Sequence, residues 1–156
     1  MPKIILCQGI QGSGKSTWAR NWAQEDPEHR VRWNSDDFRC MLGKYWVTKR
    51  ESLVSNMQYV FLDQACKLAY DIVIDNMNLN PKTVKTYETF IRTWNKNPQH
   101  SDNQYTIEYK LFNTPVEECI RRDSLREHPI GEKVITDTYN RYKALLKELD
   151  ENYSNN

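Results

Sequence analysis

Gly9-Ile10-Gln11-Gly12-Ser13-Gly14-Lys15-Ser16-Thr17 decides how this chain folds. The stretch satisfies G-x-x-x-x-G-K-[ST] at every defined position. Directly before it lies the apolar run Ile4-Ile5-Leu6-Cys7, and directly after it a helix-like segment. Strand, tight glycine turn and helix in that order form a loop that cradles the phosphates of a nucleoside triphosphate. Gly12 and Gly14 let the backbone turn tightly and approach the phosphates without an intervening Cβ. Lys15 is expected to reach the β- and γ-phosphates and Ser16 to ligate Mg2+. Ser13 and Thr17 complete the cradle through their backbone N–H groups, so Gly12, Ser13, Gly14, Lys15, Ser16 and Thr17 are the expected contacts to ATP or another nucleoside triphosphate.

Working outward, the pattern alternates strand and helix. The first strand covers about Lys3 to Cys7 and the first helix runs from Lys15 to about Gln24. A second strand, Arg30 to Trp33, leads into Asn34-Ser35-Asp36-Asp37 and a short helix that Gly43 can stop. Glu51 to Ala69 reads as a long helix whose stripe is Leu53, Met57, Val60, Phe61, Ala65 and Leu68. Asp71-Ile72-Val73-Ile74-Asp75 is a buried parallel strand ending in an acid. Asn80-Pro81 supplies an N-cap and a first-turn proline for a helix that buries Val84, Tyr87, Phe90, Ile91 and Trp94. Tyr105 to Phe112 alternates as a strand at the sheet margin, and Thr114-Pro115-Val116-Glu117 has capping-box spacing. Leu125 to Gly131 reads as a mobile link. The last helix is expected to bury Val134, Ile135, Tyr139, Tyr142, Leu145, Leu146 and Leu149.

Strands separated by helices predict an α/β, three-layer P-loop fold with a central parallel sheet in the order 2-3-1-4. Residues 1–151 form the one expected domain, and 152–156 a polar C-terminal tail. In such a fold the strand ends carrying Gly9, Asp36 and Asp75 share one edge, which brings three distant segments to one cleft.

The chain has 156 residues, 22 Lys plus Arg against 21 Asp plus Glu, and a net charge of +1. So balanced a chain is not built to grip long duplex DNA through a broad basic face, although a local pocket can still hold phosphates. Cys7, Cys40, Cys66 and Cys119 contain no C-x-x-C pair, which favours reduced thiols over a disulfide framework. The opening residues do not read as a signal peptide, and no apolar run approaches membrane-spanning length. A cytoplasmic location is expected. None of Cys66, His29, His100 and His128 forms a zinc set.

Phosphoryl transfer to a hydroxyl needs a positioned carboxylate and cations around the moving group. Asp36 can supply the carboxylate, and Arg39, three residues on, shares its helical face. Alternatively Asp36 or Asp37 caps the helix and Arg39 is a surface residue. Arg122 and Arg126, four apart and followed by Glu127-His128-Pro129-Ile130-Gly131, suit a lid that reaches the donor phosphates; the other reading pairs them with surface acids. Arg121 can trade places with Arg122. Asp75, with Asn76 and Asn78 beside it, either organises Mg2+ and the acceptor pocket or satisfies a turn. Lys44, Lys49 and Arg50 with Tyr45 and Trp46 combine charges and rings suited to a single strand, unless the rings belong to the core.

Three blocks carry a resemblance: Gly12 to Arg20 (GSGKSTWAR), Asp36-Asp37-Phe38-Arg39, and Asp75-Asn76-Met77-Asn78-Leu79-Asn80-Pro81. Together they resemble the P-loop polynucleotide kinase family, in particular the 5′-kinase domain of bacteriophage polynucleotide kinase-phosphatase, over nearly the whole chain. Asp36-Asp37-Phe38-Arg39 is close to that family's D-D-[YF]-R. The third block is close to its D-T-N-L-N-P, with Met77 as an extra residue. The resemblance implies transfer of the ATP γ-phosphate to the 5′-OH end of DNA or RNA. It implies Asp36 as general base, Asp37 as its neighbouring acid, Arg39 as the holder of the acceptor's 3′-phosphate, and Arg122 and Arg126 as lid arginines. Asp75 and Asn76 fall on the acceptor side. The resemblance includes no phosphatase segment, so 3′-end processing is expected either to be absent or to be supplied by another chain, a separate 3′-phosphatase or ligase being the partner in that case, in a host cytoplasm if the chain is phage-encoded. Two competing expectations remain: a P-loop kinase of a nucleoside or other small hydroxyl metabolite, and a nucleotide-dependent switch protein that transfers nothing.

Overall fold

The pleat of the first strand sorts the core into two layers. Ile4 and Leu6 point to one face of the sheet, and Ile5 and Cys7 to the other. In the computed structural model, which describes residues 1–155, that strand is β1 (Lys3–Gln8). It is followed by α1 (Lys15–Gln24), β2 (Arg30–Trp33), α2 (Ser35–Met41), α3 (Glu51–Lys67), β3 (Asp71–Ile74), α4 (Pro81–Lys96), β4 (Thr106–Leu111), α5 (Val116–Ser124) and α6 (Glu132–Ser154). The sheet has the order β2-β3-β1-β4 with every pairing parallel, as the sequence pattern predicts.

Ile4, Leu6, Ile72 and Ile74 pack against Leu62, Ala65 and Cys66 of α3 and Tyr87, Ile91 and Trp94 of α4. On the opposite face, Ile5, Cys7 and Val73 meet Ala19 and Trp22 of α1. A third cluster seats α5 and α6 beside the phosphate loop through Ile10, Leu79, Cys119, Ile135 and Leu146. Each fully buried Ile or Leu of these layers contributes about 1.5–3 kcal/mol relative to exposure.

Several local expectations change. The buried face of α3 is Val54, Leu62, Ala65 and Cys66, whereas Leu53, Met57, Val60 and Leu68 are exposed. Apolar residues occur around much of this helix, so periodicity alone does not choose a face. The choice is made by packing on the sheet, where Leu62 and Cys66 join Ala65 against Ile72 and Ile74, while Phe61, common to both faces, packs 5.2 Å from the Trp33 ring. Val134 is exposed on α6, while Ile135 and Leu146 are buried. The capping box at Thr114 does not form. Pro115 precedes α5 without a side-chain cap, and the Thr114 hydroxyl donates to the Ser13 carbonyl at 2.8 Å. Asn80 does cap α4, accepting from the Lys82 N–H at 2.9 Å, with Pro81 in the first turn. Helix α6 runs on to Ser154, so part of the expected tail is helical; Asn156 lies outside the described residues. No helix among the described residues is long and apolar enough to cross a membrane.

Candidate active site

Parallel strands end together, so the loops after β1, β2 and β3 meet at one edge of the sheet. There they enclose a cleft of about 1060 Å³ lined by residues 11–17 of the phosphate loop, by Asp36 and Arg39 of α2, by residues 75–80, and by Arg122 and Arg126.

The donor side is built from left-handed glycines and a buried lysine. Gly12 has φ +77° and Gly14 φ +100°. A Cβ on Gly12 would lie 2.5 Å from the Cys119 carbonyl oxygen, so this glycine lets α5 close onto the loop. A Cβ on Gly14 would stand 3.4 Å from a terminal nitrogen of Arg122, which places that guanidinium over the loop. Lys15 Nζ donates to the Ile10 carbonyl at 2.7 Å, with Ser13 Oγ at 3.4 Å. Burial lowers the Lys15 pKa to about 8, and the nearby Asp75 carboxylate opposes that shift. Ser13, Ser16 and Thr17 also line the cleft.

Arg122 Nε donates to Glu118 at 2.9 Å, and Arg121 takes the same carboxylate with two bonds of 2.7 Å. The two guanidinium groups hold the Glu118 pKa down to about 2. Arg122 lines the cleft and Arg121 does not. Arg126 also lines it and lies 3.7 Å from Asp123. Arg122 and Arg126 thus pair with acids, the second of them the buried Asp123, and both line the cleft.

On the acceptor side neither Asp36 nor Asp37 caps α2; Asn34 does, accepting from the Asp37 N–H at 2.8 Å. Asp36 Oδ1 accepts from Arg39 NH1 at 2.6 Å and from the Tyr45 hydroxyl at 3.0 Å. Arg39 also donates to Glu51 through Nε at 3.0 Å and NH2 at 2.8 Å, with the Trp46 ring 5.2 Å away. Glu51 and Asp36 keep the Arg39 pKa above its ordinary value, against the opposing effect of burial. Asp37, expected in the acceptor pocket, turns to Arg32 at 2.7 Å and does not line the cleft. Asn76 lines the cleft, but its amide is engaged by Ser35: Oδ1 accepts from Ser35 N at 3.0 Å, and Nδ2 donates to Ser35 Oγ at 3.1 Å. Asn78 satisfies the turn, with φ +47° and donation to the Cys7 carbonyl at 2.8 Å.

Asp75 is the buried acid between the two halves. Its Oδ2 accepts from Arg32 Nε at 2.9 Å, Arg32 NH2 at 2.5 Å and Asn34 at 3.2 Å. Its Oδ1 is buried without a protein partner. An unpartnered carboxylate oxygen in the same cleft as the Ser16 hydroxyl is a donor set that would fit Mg2+. Among the described residues no group of three or more His, Cys, Asp or Glu makes a metal site, so such an ion would be completed by phosphate and water.

Tyr45, expected beside Trp46 as a ring suited to a single strand, donates to Asp36. Arg32, Glu51 and Asp123 are contacts of the site residues that motif spacing misses. Arg32 alone had a signal, as a charged residue inside a short strand directly before the Asp36 helix. Asp123 is buried and accepts from the N–H groups of Ile130 at 3.1 Å and Gly131 at 2.9 Å, fastening a link that reads as mobile.

Fold and cleft together define a P-loop kinase-type enzyme. The profile of a family described as an AAA domain matches residues 4–149, and the chain belongs to that family. Two solved structures of the Pnkp1/Rnl/Hen1 complex contain similar chains. In the one described as an RNA repair complex the TM-score is 0.70 and the identity 26%, covering 94% of this chain and 45% of that one. In the second the TM-score is 0.62 at 26% identity, covering 83% of this chain and 41% of the other. The present chain therefore spans less than half the length of either. A gluconokinase from Sinorhizobium meliloti 1021 superposes with a TM-score of 0.48 at 12% identity, over 87% of this chain and 72% of its own.

Proposed function

We propose that this chain is an ATP-dependent polynucleotide 5′-hydroxyl kinase acting in nucleic-acid end repair. The observation that carries the reading is that Asp36 and Arg39 open into the same cleft as Lys15 and Ser16. A carboxylate and a cation on the acceptor side, opposite a phosphate loop, are what transfer to a hydroxyl requires. The 26% identity to a chain of an RNA repair complex supports a nucleic-acid acceptor. A ligase or 3′-phosphatase on a separate chain fits the same reading, as does a phage origin.

In this mechanism residues 12–17 and the N-terminus of α1 hold the triphosphate through backbone N–H groups. Lys15 moves its ammonium from the Ile10 carbonyl to the β- and γ-phosphate oxygens, and Ser16 and Asp75 are the residues that would hold Mg2+. The ion supplies neutralisation of charge on the phosphate oxygens when bound. Asp36 orients the terminal 5′-hydroxyl and accepts its proton as the oxygen attacks the γ-phosphorus. Arg122 and Arg126 neutralise charge spreading over the transferring group, a task suited to the guanidinium fork. Arg39 keeps Asp36 in place and presents its remaining N–H groups to an acceptor phosphate.

Transfer of label from γ-labelled ATP to single-stranded 5′-OH DNA and RNA, alongside a panel of nucleosides and small hydroxyl compounds, tests the proposal. Labelled 5′-phosphate on the oligonucleotides is expected. Label only on small acceptors, or on none, overturns it.

A further inference from the structure

The loop between α2 and α3 contacts the site through Asp36 and is not part of any phosphate motif. Its shape is set by Arg50, which donates to the carbonyls of Leu42 at 2.8 Å and of Lys44. Held this way, the loop presents Tyr45 to Asp36, 3.0 Å from phenol oxygen to Oδ1. Arg39 NH1 reaches that same oxygen at 2.6 Å. Among the described residues no hydrogen bond falls on Oδ2 of this carboxylate.

The two oxygens of Asp36 are thus unequal. One accepts from two donors on opposite sides, a hydroxyl from the loop and a guanidinium from the helix. Glu51 prevents that guanidinium from swinging away by taking its other edge in two bonds. The second oxygen keeps its full capacity to accept. A side chain on the surface of a short helix would otherwise rotate freely about χ1 and χ2, and two bonds to one oxygen remove that freedom.

We infer that Tyr45 is a positioning residue for phosphoryl transfer: with Arg39 it anchors Asp36 through Oδ1, so that Oδ2 is the oxygen that receives the acceptor's proton. The inference rests on the proposed kinase reading and deepens it. In the step, the acceptor O–H bond breaks and its proton goes to Oδ2. The acceptor oxygen forms a bond to the γ-phosphorus, and the bond from that phosphorus to the bridging oxygen of ADP breaks, its electron pair leaving with ADP. Tyr45 keeps its own proton throughout.

The pair leaves a mark on the tyrosine itself. Its phenol pKa is pushed up to about 12, first by burial and then by the Asp36 charge and hydrogen bond, with Arg39 opposing and Cys40 adding slightly. Two measurements on the full chain test the inference. The first titrates Tyr45 by NMR of 13Cζ-labelled tyrosine in the parent chain and in Asp36→Asn, and needs no acceptor. Titration at lower pH in Asp36→Asn is expected; identical curves overturn the inference whatever the enzyme's substrate. The second is single-turnover transfer to a 5′-OH oligonucleotide by the parent chain, Tyr45→Phe, Asp36→Asn and the double variant. Tyr45→Phe is expected to lower the rate about ten-fold with KM for ATP unchanged, the effect of losing one hydrogen bond to a charged group. Added to Asp36→Asn it is expected to cost nothing further, whereas a merely structural tyrosine would lower both backgrounds equally. Equal losses, or an unchanged Tyr45→Phe rate, overturn it. If the parent chain itself transfers nothing to the oligonucleotide, the kinase reading and this inference with it both fall, even where the titration curves separate.

Discussion

A lysine buried against one carbonyl and one hydroxyl holds its proton less tightly than a lysine in water. For Lys15 the pKa falls from 10.5 to about 8. Between those values the unfolded chain binds more protons than the folded one. The contribution of this lysine to stability therefore rises as pH increases from about 8 towards 10.5. Bound phosphate favours the charged form and draws the pKa back up. ATP binding at pH 8.5–9 is thus expected to take up protons, with magnitude ~0.5 per site or more. Calorimetric titrations in two buffers of different ionisation enthalpy measure this, and Lys15→Ala is expected to abolish the uptake. At Asp36 the expected result of substitution by Asn is a fall in kcat of about 10²–10⁴-fold with KM for ATP nearly constant, read from initial rates of label transfer. Arg32→Ala is a test of a different kind, because it leaves the wholly buried Asp75 side chain without its cation. A loss of about 3 kcal/mol in urea unfolding is expected, and adding Asp75→Asn should recover part of it. The phosphate loop is legible in the sequence because its residues are contiguous: one loop carries its own glycines, lysine and hydroxyls. The Arg32–Asp75 pair spans 43 residues and Arg39–Glu51 spans 12, so those contacts exist only once the sheet and α3 are assembled.

Elements differ in how far their own residues specify them. β1 and β3 are short and wholly apolar between polar ends, and α4 carries its cap and proline in sequence, so local chemistry and tertiary packing agree. For α3 they do not, since the helix offers several apolar faces and packing of Leu62 and Cys66 against the sheet selects one. Thr114 was misread for a related reason: its hydroxyl has a local use as a cap and a distant one on the phosphate loop, and the distant one wins. The α5–α6 link shows a third case. Composition marks residues 125–131 as flexible, yet Asp123 gathers two of their N–H groups inside the fold. Asp123→Ala should leave those amides without their partner and cost about 1–3 kcal/mol. Faster hydrogen exchange at Ile130 and Gly131 is the direct check, with slower transfer following because Arg126 shares this corner with the Asp123 carboxylate.

At the scale of the molecule, the phosphate loop is joined to the loop after β3 and to α5. Gly9 N–H donates to the Met77 carbonyl at 3.1 Å, tying it to the loop after β3. Thr114 ties it to the start of α5, and the Cys119 backbone packs directly on Gly12. Ligand bound at that loop should therefore stabilise α5 and the loop after β3 with it, as one cooperative unit. With ATP and Mg2+ at about 100 times Kd, mass action adds about 2.7 kcal/mol to the folded state. For a chain of this size that corresponds to a rise in melting temperature of roughly 5–10 °C. The upward shift is expected as a single transition in calorimetry, accompanied by slower amide exchange in α5 and around residues 75–80 as well as in the loop itself. Lys15→Ala should remove the shift, and Asp36→Asn should keep it, because the proposed mechanism gives that acid to the acceptor and not to the donor phosphates. A shift that vanished equally in both variants would mean that the two halves of the cleft do not divide donor from acceptor in this way.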